Sequence, residues 1–189
     1  MKYLVIFSFL LTIICNSGEH NLDHDHEHSH DHNHKEENSN KKSIKAHQHG
    51  VGVLNIVKEE NILFFEFELP GYDVVGFEYK AKKKDDIKKV KQALNLLSDY
   101  TNMIEIDNSA ECKKESSSSD LLSEGNHTEF RSSYKIFCSN IQKIDKIKIK
   151  YFENFRNSKK LNVKIISEKK AKSFELNSKN PVFSSIDYF

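Results

Sequence analysis

Residues 18–45 constrain the fold most, because they contain almost nothing from which a hydrophobic core could be built. Leu22 and Ile44 are the large aliphatic side chains in a stretch dominated by His, Asp, Glu, Asn, Ser and Lys. Such a segment cannot bury enough apolar surface to offset the entropy lost on ordering, so we expect it to be disordered without a ligand. We therefore expect residues 46–189 to form the folded part of the chain, and their number is typical of one domain.

Within residues 18–45, histidine recurs at every second position and carboxylates fill most of the gaps. These imidazoles belong to His24, His26, His28, His30, His32 and His34. Neutral imidazole and carboxylate are both ligands of Zn²⁺, which prefers four donors in a tetrahedron. A flexible chain can bring any three or four of these near-equivalent residues around one ion. The tail therefore predicts transition-metal binding in several registers, with Cu²⁺ and Ni²⁺ as competitors and protons displacing the metal as the pH falls through about 6.5.

The N-terminus predicts export from the cytoplasm. Residues 3–14 are an apolar run interrupted by Ser8 and Thr12, and a helix of that length rises about 18 Å, short of the roughly 30 Å that a spanning helix must cover. The run is typical of a signal peptide over residues 1–17. A second route stays open, in which a lipoprotein-type cut attaches lipid at Cys15. Both routes give a periplasmic or secreted chain without a membrane span.

Removal of the signal peptide leaves Cys112 and Cys138 as the cysteines available for pairing. Two cysteines in an exported chain favour a structural disulfide over a metal-binding pair. A redox role would favour closely spaced cysteines, and the sequence has no Cys-x-x-Cys.

The periodicity of residues 46–189 indicates short strands and one amphipathic helix. The helix is predicted over residues 85–99, with Ile87, Val90, Leu94 and Leu97 on one stripe. The serine-rich residues 113–125 are expected to be a mobile loop. Strands are predicted over residues 51–57, 62–69, 103–106, 129–138, 146–151, 161–166 and 173–176. The expected fold class is α+β, a mostly antiparallel sheet of about six or seven strands with one main helix, preceded by the disordered tail.

Three further histidines lie in the part of the chain expected to fold. His47 and His49 abut the first strand, and in an extended chain their side chains point to the same side, so they can supply two metal ligands. His127 precedes a later strand and is a candidate third donor. For His127, the one histidine of its loop, the competing interpretation is an ordinary exposed polar side chain.

Composition and motifs argue against two large classes of function. The formal net charge of +1 does not favour nucleic-acid binding, which needs a concentrated positive surface. An enzyme is not expected either: the sequence has no His-Glu-x-x-His, no serine nucleophile elbow and no glycine-rich phosphate loop.

The sequence from residue 46 onwards resembles the ZrgA-like family of zinc-regulated bacterial periplasmic proteins. The resemblance depends on the order and spacing of several short segments. These segments are Ala46-His47-Gln48-His49-Gly50, Val75-Gly76-Phe77-Glu78, Cys112, Glu124-Gly125-Asn126-His127-Thr128-Glu129-Phe130, residues 134–138, residues 147–155, Leu176, Asn180-Pro181 and Phe183. The resemblance implies a periplasmic zinc-binding protein that serves zinc acquisition. It also supports the Cys112–Cys138 pair and marks His47, His49 and His127.

Two positions depart from the family pattern. Tyr79 follows the Gly-Phe-Glu triplet where the family often has histidine, and Arg156 stands where it often has proline. If that histidine is a ligand in relatives, the site on the domain is weaker here and more of the binding falls to the tail.

Three functional hypotheses follow, and the first is preferred. In it, the protein is a non-enzymatic accessory of zinc acquisition whose tail captures Zn²⁺ for the domain, a zinc transporter or a transporter's binding protein. The second is a buffer or resistance protein that sequesters excess Zn, Cu or Ni. The third is a structural module of the cell envelope in which the tail is incidental.

Overall fold

The computed structural model describes residues 48–189. The signal peptide predicted over residues 1–17, Cys15, the tail predicted over residues 18–45, and His47 lie outside the described residues. The folded part is α+β, as the sequence predicts, and is built on a six-stranded and a three-stranded sheet.

The six-stranded sheet has the order β4-β5-β2-β1-β7-β8. Its strands are β1 (Val51–Glu59), β2 (Ile62–Pro70), β4 (Cys112–Glu124), β5 (His127–Cys138), β7 (Lys160–Ile166) and β8 (Ala171–Asn177). Neighbours pair antiparallel except β1 and β7, which are parallel. The three-stranded sheet is antiparallel and has the order β3-β6-β9, with β3 (Ile104–Ile106), β6 (Lys146–Ile149) and β9 (Val182–Ser184).

The core lies on one face of the large sheet, because alternate side chains of its strands point to the same side. These buried residues include Leu54, Ile56, Leu63, Phe65, Phe67, Tyr134, Ile136, Leu161 and Val163. The strict alternation of β6 is also observed, with Ile147 and Ile149 fully buried and the intervening lysine outward.

Three α-helices complete the fold within residues 48–189: α1 (Gly71–Val75), α2 (Lys84–Leu97) and α3 (Tyr151–Asn154). The main helix, α2, packs its C-terminal half on the sheet, since Leu97 is fully buried and its carbonyl accepts a hydrogen bond from the Tyr134 hydroxyl. Ile87 departs from the predicted stripe and is 38% exposed. The first turn makes its contact through Asp86 instead, which is buried and accepts a hydrogen bond from Tyr79.

The prediction of a mobile loop over residues 113–125 is wrong, because this segment is most of β4. β4 pairs with β5 from Cys112 opposite Cys138 to Glu124 opposite His127, with one shift of register between Lys114 and Ser116. Its polar sequence fits an edge strand that is largely exposed. β4 is ordered by its backbone pairing with β5 and by the disulfide between Cys112 and Cys138. This disulfide confirms the predicted cysteine pair.

No helix in residues 48–189 has the length and apolarity needed to cross a membrane.

Candidate functional site

Three segments that are distant in sequence meet where the chain enters β1. His49 lies in the turn before β1, Glu78 lies in the loop after α1, and His127 is the first residue of β5. We refer to His49, Glu78 and His127 as the triad.

Glu78 connects the two histidines with its two carboxylate oxygens. His49 Nε2 lies 3.0 Å from Glu78 Oε1, and His127 Nδ1 lies 3.0 Å from Glu78 Oε2. The Glu78 side chain is 13% exposed, whereas His49 and His127 are 56% and 67% exposed. The carboxylate is therefore largely covered, while both imidazoles can be reached from solvent.

The electrostatics of the triad favour an ionised carboxylate. Partial burial acts to raise the pKa of Glu78, but the hydrogen bonds from His127 and His49 outweigh it and leave the pKa below its ordinary value. An ionised carboxylate can only accept hydrogen bonds. The bonded nitrogens, Nε2 of His49 and Nδ1 of His127, therefore carry the hydrogens.

It follows that, in the neutral rings, the lone pairs are on Nδ1 of His49 and Nε2 of His127. This is the arrangement of a carboxylate–histidine–metal system, in which a carboxylate fixes the tautomer and orientation of an imidazole whose other nitrogen binds the metal. No group of three or more His, Cys, Asp or Glu side chains within residues 48–189 is arranged to hold a metal ion as it stands. The triad thus supplies two oriented imidazoles rather than a closed coordination shell.

A buried network fixes the backbone that carries His49. Asp73, which is 1% exposed, accepts hydrogen bonds from the Gly50 amide at 2.7 Å and from the Tyr151 hydroxyl at 3.2 Å. Burial raises the pKa of Asp73, and these hydrogen bonds partly oppose the rise. The His49 ring also stacks on Tyr72, with centroids 4.8 Å apart. The ring is therefore held from both its backbone and its face.

Glycines position the other two members of the triad. Gly76 ends α1 with a φ of 85°, a left-handed conformation that glycine adopts at little cost, and turns the chain towards Glu78. A Cβ at Gly71 would lie 2.1 Å from Thr128 Oγ1 and 2.8 Å from the Phe77 carbonyl oxygen. The absence of a side chain at Gly71 therefore allows α1 to approach the start of β5, which brings Glu78 to His127.

A family model described as "ZrgA family zinc uptake protein" matches residues 46–185. The chain belongs to the ZrgA family. This result confirms the resemblance that the sequence suggests, and the matched region includes His49, Glu78 and His127. No curated protein matches the chain significantly.

The structure brings together part of the predicted ligand set. His49 and His127 share one carboxylate, whereas His47 and the histidines of the tail, His24, His26, His28, His30, His32 and His34, lie outside the described residues. Cys112 and Cys138 are bonded to each other at the far end of the β4–β5 pair from His127.

Sequence reasoning missed Glu78 and Asp73 as parts of the site. Glu78 lies within a segment that carries the ZrgA resemblance, and that was the one signal that could have singled it out. Asp73 has no such signal, since its role depends on a contact with Gly50 across 23 residues of sequence.

The two departures from the ZrgA pattern occupy different surroundings. Tyr79 stacks on Phe77, with centroids 4.6 Å apart, and its hydroxyl donates to Asp86. Arg156 lies in an exposed turn between α3 and β7. Neither residue belongs to the triad.

Proposed function

We propose that this ZrgA-family protein is a periplasmic zinc-binding accessory of zinc uptake. Its tail captures Zn²⁺, and the triad receives the ion and passes it to a transporter or a transporter's binding protein. The observation that carries the proposal is a carboxylate held between two accessible imidazoles, each 3.0 Å away, at the point where the chain arrives from the tail.

The two imidazoles of the triad are an incomplete tetrahedral set, and the tail supplies what is lacking. Zn²⁺ prefers four donors, so His49 and His127 bind the ion together with His47 or with histidines that are still attached to the tail. A mixed shell of this kind permits transfer by exchange of one ligand at a time. Tyr79, in place of histidine, leaves this chain more dependent on ligands from the tail.

The length of the connecting chain permits such a transfer. Thirteen positions separate His34 from His47, and a flexible chain of that length has a root-mean-square span of about 20 Å. Tethering keeps the effective concentration of loaded tail near the triad high, in the millimolar range for a short flexible linker.

The protein acts by binding and not by catalysis in this proposal. The family description is one of uptake, and the chemistry that the proposal needs is ligand exchange, which requires no nucleophile or acid–base pair. The same description favours uptake over sequestration of excess metal.

Isothermal titration calorimetry with Zn²⁺ at neutral pH tests the proposal on the exported chain and two variants. In the tail variant, the six histidines at positions 24, 26, 28, 30, 32 and 34 are replaced by asparagine. In the domain variant, His49→Asn and His127→Asn are combined. We expect the tail variant to retain about one ion per chain and the domain variant to lose about one, because three or four donors are needed for each ion.

Equal zinc stoichiometry in the tail variant and the parent would remove the tail from the mechanism. Unchanged stoichiometry and affinity in the domain variant would remove the triad.

A further inference from the structure

The surface beside the triad is strongly basic. Residues 80–91 contain seven lysines and two aspartates, which gives a net charge of +5. Three of these lysines line a surface cavity of about 630 Å³ together with Tyr79, Asp86, Gly125 and Asn126. We call Lys80, Lys82 and Lys83 the lysine cluster. Since Tyr79 adjoins Glu78 and Asn126 adjoins His127, the cavity opens next to the triad.

No partner in the described part of the chain neutralises the lysine cluster. Lys148 and Lys170 form ion pairs with Glu153 and Asp187, but none of the three lysines of the cluster forms one with any residue from 48 to 189. The aspartate that lines the cavity, Asp86, is buried and accepts a hydrogen bond from Tyr79.

The position of the lysine cluster does not help the helix that follows it. Lys83 is the N-cap residue of α2 and makes no side-chain capping hydrogen bond. A helix N-terminus carries a partial positive charge, so lysines there are less favourable than acidic residues. Helix stability therefore gives no reason for this cluster, whereas a bound anionic group would be stabilised by the lysines and the helix dipole together.

The same chain contains an acidic segment close enough to bind there. Residues 19–37 contain seven acidic residues and one lysine, a net charge of −6. Eleven positions separate residue 37 from Gln48, which corresponds to a root-mean-square span of about 18 Å for a flexible linker. Gln48 precedes His49, which is bonded to Glu78, two residues before Lys80. The linker is therefore long enough for the acidic segment to reach the lysine cluster.

We propose that the lysine cluster binds the metal-free acidic segment, residues 19–37, and that Zn²⁺ loading of this segment releases it. The release rests on the proposed function, because it requires the tail to bind zinc. Each ion adds two positive charges, so about three ions cancel a charge of −6 and remove the attraction. The loaded segment leaves the lysine cluster but remains tethered to the domain, passes its ion to the triad, and binds the cluster again once it is metal-free.

Carbodiimide cross-linking of the exported chain tests the docking, because this reagent joins lysine amines directly to carboxylates in contact with them. The readout is the yield of links from carboxylates of residues 19–37 to the lysine cluster, divided by the yield to three control lysines. The controls, Lys164, Lys172 and Lys179, are exposed, lie on or next to β7 and β8, and form no ion pair with any described residue. An equal mixture of ¹⁴N- and ¹⁵N-labelled chains distinguishes links within a chain from links between chains.

For the metal-free protein we expect a ratio of about five or more, with links mostly within one chain, because tethering favours the intramolecular contact. Replacing Lys164, Lys172 and Lys179 by Gln should leave the yield at the lysine cluster unchanged. Raising the salt concentration to 1 M should bring the ratio to about one, since the Debye length falls to about 3 Å. A ratio of one at low salt, or a majority of links between chains, would overturn the docking, and the latter would assign the cavity to a second copy of the chain.

Saturation with Zn²⁺ should lower the ratio to about one. An unchanged ratio in protein that binds zinc by calorimetry would overturn the release step and leave the proposed function intact. Absence of zinc binding to the tail in the same calorimetry would instead contradict the proposed function, whatever the ratio in metal-free protein.

Discussion

Glu78 determines at the residue scale what the two histidines of the triad can do. Its carboxylate accepts from Nε2 of His49 and Nδ1 of His127, both at 3.0 Å, and so leaves the other nitrogen of each neutral ring for a ligand. Because Glu78 is mostly covered while both rings are exposed, we propose that the carboxylate positions the rings and that the rings bind the ion.

Replacement of Glu78 by Gln tests this positioning role. In the tail variant, we expect Glu78→Gln to weaken zinc binding by about 10–100-fold, the usual cost of losing such an outer-shell partner. Calorimetry gives the affinity, and ¹⁵N NMR of the imidazoles should show that His49 and His127 no longer favour one tautomer each. Glu175→Gln, at an exposed carboxylate paired with Lys160, is the control. Equal affinities in the two variants would contradict the role.

Glu168 is a second carboxylate whose environment has a measurable consequence. Its hydrogen bonds from the Glu60 amide, at 2.7 Å, and from Lys58, at 3.0 Å, join the β7–β8 turn to the β1–β2 turn. The backbone hydrogen bond from Glu60 and the Lys58 contact lower the pKa of Glu168 to about 2.

A carboxyl group whose pKa is lower in the folded state stabilises the fold above its unfolded pKa, and this contribution is lost as the pH falls through the folded pKa. For Glu168 the contribution should be complete above about pH 4.5 and disappear towards pH 2. Glu168→Gln should therefore lower the Tm at pH 6, and the difference from the parent should shrink at pH 3. Glu59→Gln, at an exposed carboxylate of the same hairpin, is the matched control. A difference in Tm between Glu168→Gln and the parent that stays constant with pH would contradict the prediction.

Individual functional residues could be predicted from the sequence only where an unusual residue type stands out from its neighbours in the chain. His49 and His127 are conspicuous because histidine is rare in the folded part of the chain. Asp73 is not, because its importance comes from burial beside Gly50 and Tyr151, and the sequence carries no record of that contact.

At the scale of elements, periodicity was informative wherever one face of a strand is buried. β6 was predicted because Ile147 and Ile149 alternate with lysines, but the strand ends at Ile149 and Tyr151, predicted to extend it, begins α3. β4 was missed because an exposed edge strand has little hydrophobic alternation, and its order depends on pairing with β5 and on a disulfide. The division into two sheets depends on long-range pairing and was also not predicted.

The close approach of α1 to β5 predicts a sensitive position at Gly71. Gly71→Ala places a methyl group 2.1 Å from Thr128 Oγ1, so we expect a loss of about 1–3 kcal/mol in the free energy of unfolding from overpacking. Denaturant unfolding measures it. Gly125→Asn is the matched control, because nothing lies within 4 Å of a Cβ there and Asn tolerates the left-handed φ of 59°. A Gly71→Ala protein as stable as this control would show that α1 can move aside freely.

The disulfide should stabilise the end of the β4–β5 ladder opposite His127. It closes a loop over a sequence separation of 26 residues, for which the chain-entropy model gives about 3.5 kcal/mol. We expect Cys112→Ser with Cys138→Ser to lower the free energy of unfolding by that amount, and reduction of the parent protein to have the same effect. Denaturant unfolding with no change in midpoint for either sample would contradict this prediction.

At the scale of the whole molecule, the account joins two parts with different physical requirements. In the proposed function, the tail offers many interchangeable histidines and carboxylates in its sequence, whereas the domain has two imidazoles positioned by Glu78, Asp73 and Tyr72. Because the chain belongs to the ZrgA family, which is described as zinc uptake proteins, zinc uptake is the role favoured for this combination of tail and domain.

The metal content of the protein isolated from its own compartment tests the central claim most directly. From cells grown with limiting zinc, inductively coupled plasma mass spectrometry should find zinc as the main metal, at more than one ion per chain. The variant with six tail histidines replaced by asparagine should carry about one, because three or four donors are needed for each ion. Protein that carries no zinc under these conditions, or that carries equal amounts with and without the tail histidines, would contradict the account.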